Sequence, residues 1–211
     1  MGRGAALSAA LVVVAGGLLF VAAVGHRPLA YLTRDPQATT LQRWFLGFFS
    51  NVGSACWWGA TGIAIFAGIV VSAQSPGARS ASFILAVGGL TAVFGFDDMF
   101  GIHDIWGYQV GLPEWPFFAL YGGLAVALIV RYRREVETSW LTPFVLAIAL
   151  YALSTVADWL SGHSESDLRY LGEDGVKLLA IVCWTGWVGH TAFTLLTGRP
   201  PDEDGRALPY D

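Results

Sequence analysis

Charge is scarce in this sequence. Only 13% of its 211 residues are Asp, Glu, Lys or Arg, against roughly 25% in a soluble domain. Too few ions remain to cover a water-facing surface. Basic residues are fewer still, 12 against 16 acidic ones, and no basic patch that would track phosphate is present, which excludes nucleic-acid binding. The cysteines number two, Cys56 and Cys183, both inside apolar runs, so a disulfide framework is excluded. Histidines number four, and neither H-x-x-x-H nor H-E-x-x-H occurs, so a paired-histidine zinc helix is excluded. The chain is 55% hydrophobic with a mean hydropathy of +0.55. That is the composition of an integral membrane protein.

The N-terminal stretch carries Arg3 and then about twenty mostly apolar residues, longer than the roughly 7–15 of a signal h-region. It reads as an uncleaved first span. A span needs roughly 20 mostly apolar residues, and six segments qualify: 5–25, 53–74, 81–102, 116–132, 139–160 and 172–197. The expected fold is an all-α polytopic bundle, one transmembrane domain over 1–198 with a polar tail over 199–211. The stretch 38–52, with Trp44, Phe45, Phe48 and Phe49 among polar residues, reads either as an interfacial helix or as an extension of the second span. Glycines number 26, and runs such as "GLLFVAAVG" and "GGLAVALIV" allow helices to approach closely.

Cations set orientation. Arg3, Arg79, Arg131, Arg133, Arg134, Arg199 and Arg206 all fall on one side of a six-span bundle, which puts both termini in the cytoplasm of a bacterial inner membrane. Arg27, Arg34 and Arg43 argue the other way. Most of the nine tryptophans lie near expected span ends and read as an interfacial belt or as packing.

At the outer ends of the spans the sequence changes character. Asp97, Asp98, His103 and Asp104 close the third span in "FDDMFGIHD", Asp158 lies near the end of the fifth, and Glu173, Asp174 and Lys177 open the sixth in "GEDGVKLL". Three helices thus bring carboxylates to one depth. Ionisable side chains inside a span face the bundle interior and need partners. Asp97 and Asp104, seven apart, share a face if the helix survives Gly101. Glu173 and Lys177 are placed for a helix ion pair, while Asp158 needs a partner from elsewhere, with Lys177, His103 and Arg169 as candidates. Plain structural roles are also open, such as complementing a helix dipole for Glu173 and Asp174. His26 reads as interfacial and His190 as a packing residue at the cytoplasmic side.

Carboxylates with one imidazole suit a divalent metal ion. Asp97, Asp98, His103, Asp104, Glu173 and Asp174 are the candidate ligands, with Asp158 and Lys177 as candidate catalytic groups beside a metal-bound water. "SGH" at 161–163 lacks the companion motifs of a lipid phosphate phosphatase, and "DDMFGIHD" lacks the second aspartate-rich motif of a prenyl-diphosphate site.

The pair "FDDMFGIHD" and "GEDGVKLLAI" resembles a group of small bacterial multi-pass membrane proteins carrying D-D-x-F-x-x-H-[DE] and, later, E-[ED]-x-x-K. The resemblance implies that Asp97, Asp98, Phe100, His103, Asp104, Glu173, Asp174 and Lys177 belong together. It is looser with the membrane hydrolases that include alkaline ceramidases and adiponectin-type receptors, which are seven-span zinc proteins with three histidines; this chain has six expected spans and no paired helix histidines. Three functions follow as expectations: a metal-dependent hydrolase of a lipid-like substrate, a non-catalytic subunit of a larger membrane complex, or a proton or cation pathway. The expected partners are membrane lipids and other membrane subunits.

Overall fold

The computed structural model describes residues 47–161 and 175–198; the side chains at 104 and 157–161 lie outside that description. The chain divides into Met1–Phe48 and a compact unit from Phe49 onward, and the second unit is the one described below. The expected first span, residues 38–46 and the C-terminal tail all fall outside the described residues.

Five long helices build the unit: α1 (Phe48–Gln74), α2 (Arg79–Phe100), α4 (Trp115–Arg131), α6 (Leu141–Ser161) and α7 (Val176–Thr197). Between them lie a π-helical turn (Ile102–Trp106), the short α3 (Gly107–Gln109) and the short α5 (Arg133–Glu137). Among the described residues there is no strand. α1, α2 and α7 are long and apolar enough to cross a membrane, and α4 and α6 contribute shorter apolar stretches. α1 begins at Phe48, so the aromatic residues Phe48 and Phe49 extend the second expected span by more than a turn.

The outside is as apolar as the inside. Phe66, Ile69, Val126, Val130, Val145 and Val182 are all at least half exposed, a surface that a water-soluble unit would bury. The interior is aromatic. Trp57 and Trp187 are fully buried and Trp184 nearly so. Trp184 stacks obliquely on Trp187 with ring centroids 5.0 Å apart, and Phe144 lies 4.7 Å from Trp187. Their indole N–H groups are matched: Trp184 Nε1 donates to Thr91 Oγ at 3.0 Å and Trp187 Nε1 to Ser139 Oγ at 2.9 Å. These hydrogen bonds tie α7 to α2 and to the turn between α5 and α6. Among the described residues, Trp57, Trp184 and Trp187 therefore belong to the core, while Trp58, Trp106, Trp115 and Trp140 are exposed.

Close helix approach uses other glycines than "GGLAVALIV". A Cβ added at Gly122 or Gly123 meets nothing within 4 Å, whereas one at Gly95 falls 2.9 Å from Trp57 Cβ and one at Gly88 falls 3.1 Å from Ala64 Cβ. The seam between α1 and α2 is a tight one, because a missing side chain lets two backbones close up where van der Waals contact is the main attraction. His190 packs on Trp140, ring centroids 4.9 Å apart.

Candidate functional site

The site starts from a stop signal. Gly101 sits at φ 56°, in the left-handed region, and caps α2 with its N–H on the Asp97 carbonyl. A residue with a Cβ is strained in that conformation, and a Cβ here would also fall 3.0 Å from Ile105 Cδ1. The helix therefore does not continue to Asp104, and the condition under which Asp97 and Asp104 would share one helix face is not met. The chain turns instead into a π-helical segment, with the N–H of Trp106 on the Gly101 carbonyl at 3.0 Å.

That turn carries His103 back onto Asp97. On a continuous helix the two would point about 120° apart. Here the His103 backbone N–H donates to Asp97 Oδ1 at 2.9 Å, and its ring Nδ1 lies 2.6 Å from Asp97 Oδ2. Tyr121 of α4 completes the set, its hydroxyl donating to Asp97 Oδ1 at 2.7 Å. Asp97 is 7% exposed, a buried carboxylate matched by three donors, as burial of such a group demands. An ionised carboxylate only accepts, so this contact calls for a proton on Nδ1. Phe118 of α4 supports the imidazole with ring centroids 5.2 Å apart.

One residue on, Asp98 pairs with Lys177 at the start of α7. The Asp98 side chain is 10% exposed and that of Lys177 31%. Gly53 of α1 lies beside the pair: a Cβ there would make ordinary contact with Asp98 Oδ2 at 3.7 Å and crowd Ile181 Cδ1 at 3.1 Å. Lys177, a candidate partner for Asp158 and Glu173, thus has Asp98 as a partner, and His103 has Asp97.

These groups line the polar end of a cavity of about 340 Å³. Asp97, Asp98, His103, Tyr121, Tyr151 and Lys177 line it together with aromatic residues, Trp57 and Trp184 among them. Trp184 lies seven residues beyond Lys177 in α7, about 10 Å deeper along the helix axis. The charged groups thus lie at one end of the cavity along the direction of the spans, and Trp184 lies further in.

The sequence-level candidates divide as follows. Asp97, Asp98, His103 and Lys177 meet at the cavity. Asp104 lies in the π-helical turn and Asp158 in α6, and their side chains lie outside the described residues, as do Glu173 and Asp174 altogether. Among the described residues no group of three or more His, Cys, Asp and Glu is arranged to hold a metal ion. Tyr121, Tyr151, Ser154 and Thr155 also line the cavity and escaped the sequence reading. The signal for the two tyrosines was there: a hydroxyl inside an apolar run needs a partner once buried.

Residues 5–191 match the family described as Domain of unknown function (DUF8692). The chain belongs to this family. No curated protein matches it, and no solved structure does. For a DUF8692 member the family description carries no activity, so the chemistry rests on the cavity and the groups around it.

Proposed function

We propose that the chain is a six-span inner-membrane protein with cytoplasmic termini that hydrolyses an ester or amide of a lipid-like molecule held in the cavity. One observation carries this reading: an imidazole held through Nδ1 by a buried carboxylate, at the polar end of an apolar cavity. In such a pair the carboxylate fixes the ring's tautomer and stabilises the imidazolium that forms during reaction. His103 Nε2 takes a proton from water as the water oxygen bonds to the substrate carbonyl carbon. The same nitrogen returns that proton to the leaving alcohol or amine as the carbonyl–heteroatom bond breaks.

Tyr121 supports Asp97 from the far side, and Lys177 offers a cation for a polar or anionic headgroup. The carboxylates of Asp97 and Asp98 are matched by donors of the chain itself, so this route runs on protein groups alone and its rate is expected to withstand a chelator. The arginines at the far ends of α2 and α4, in the segments 79 and 131–134, favour the cytoplasmic placement of that end.

The test is turnover by purified protein in nanodiscs against a panel of acyl esters and acyl amides bearing long chains. The expected result is hydrolysis of at least one of them, with His103→Gln slower by about 10²–10⁴-fold, the usual contribution of a positioned general base. A His103→Gln variant that folds and turns over every substrate as fast as the parent would sink the catalytic reading and leave the alternative of a subunit in a larger complex.

A further inference from the structure

The end of the unit opposite the cavity cluster has a second cleft, of about 420 Å³, lined by Arg79, Val130, Arg133, Arg134 and Glu135. We propose that this cleft binds the headgroup of an anionic phospholipid. The cleft is assembled where the first residue of α2 meets the last turn of α4 and the short α5. Arg79 builds the wall: it pairs with Glu135, donates to the Arg131 carbonyl, and lies over the Tyr132 ring at 5.6 Å. Arg79 is thereby committed to structure, and the binding charge comes from its neighbours.

Arg133 pairs with Glu137 at 2.7 Å, but both side chains are more than half exposed, 77% and 53%. An exposed helix pair of this kind contributes little, so Arg133 can turn to an incoming anion. Arg134 holds no ion pair among the described residues and is exposed. Four arginines, at 79, 131, 133 and 134, stand against Glu135 and Glu137, which leaves two positive charges over.

The apolar side of the cleft selects a lipid over a free anion. Val130 is 73% exposed and Val126, one turn deeper on the same face of α4, is 59% exposed. Cations at the helix ends above an exposed aliphatic track form a complement to a phosphate headgroup with its acyl chain. A soluble anion would use the arginines and leave the track bare.

Native mass spectrometry of the full chain, released from nanodiscs of phosphatidylcholine mixed with phosphatidylglycerol, tests the assignment. The parent is expected to retain phosphatidylglycerol in preference to phosphatidylcholine. The exposed pair Arg133→Gln/Arg134→Gln, which leaves the Arg79–Glu135 wall intact, is expected to reduce that preference roughly 25-fold, about fivefold per arginine. Retention of the preference in this variant overturns the proposal. So does equal thermal stabilisation of the parent by glycerol phosphate and by phosphatidylglycerol, which would make the cleft an anion site only. Binding of an acidic peptide without any lipid preference overturns it as well, in favour of a protein partner.

Discussion

Asp97→Ala is expected to lower the stability of the unit by about 3 kcal/mol or more, the sum of groups stranded at roughly 1–3 kcal/mol each. Two oxygens of one buried carboxylate accept from the His103 backbone, the His103 ring and the Tyr121 hydroxyl. Truncation removes all three acceptor interactions at once. The His103 side chain is 21% exposed and recovers part of its loss through water; the Tyr121 hydroxyl and the His103 amide have less recourse. Tyr121→Phe provides the scale, because it deletes one donor and strands none, and should cost about 1 kcal/mol. Asp97→Asn is expected to fall between the two, since its amide group keeps one acceptor and turns a second donor towards a donor. Thermal unfolding in a mild detergent reads the order. An Asp97→Ala protein as stable as the parent would mean that these three donors are satisfied without the carboxylate.

Lys177→Met is the second large effect, about 3 kcal/mol, at the lower end for a buried ion pair that loses one partner. The asymmetry of burial sets the figure: Asp98 is left 10% exposed with its charge uncompensated, whereas Lys177, at 31%, reaches water in either state. The double variant Asp98→Asn/Lys177→Met is expected to regain most of the loss, because no uncompensated charge remains. Additive losses would show that the two side chains do not depend on each other.

Among the described residues, the stretches expected over 81–102 and 116–132 coincide with helices α2, Arg79–Phe100, and α4, Trp115–Arg131; the first is long enough to cross a membrane and the second is a shorter apolar helix. Hydropathy reads these directly, because lipid demands apolar side chains on every face. The gathering of Asp97, Asp98, His103 and Lys177 was legible for the converse reason, since ions inside a span need one another. Their pairing was not. It turns on Gly101, whose left-handed backbone redirects His103 through a π-helical turn, and a spacing rule for a continuous helix misses this. Tyr121 was hidden by its class, because an aromatic residue in the first turns of a span looks like part of an interfacial belt. The core tryptophans were hidden likewise: Trp57 and Trp184 bury their rings between helices, and composition alone does not separate an indole facing lipid from one facing a neighbour. Asp158, Glu173 and Asp174 keep the roles expected of them open, because their side chains lie outside the described residues.

The central claim is that Asp97 holds His103 by Nδ1 and leaves Nε2 as the base. The most direct measurement is the ¹⁵N spectrum of protein labelled at its histidines, with the His103 signals assigned through His103→Gln. The result in keeping with the geometry is a neutral ring protonated at Nδ1, shifting towards the Nε2-protonated form in Asp97→Ala. A ring protonated at Nε2 and bare at Nδ1 in the parent would contradict both the hydrogen bond to Asp97 and the chemistry built on it.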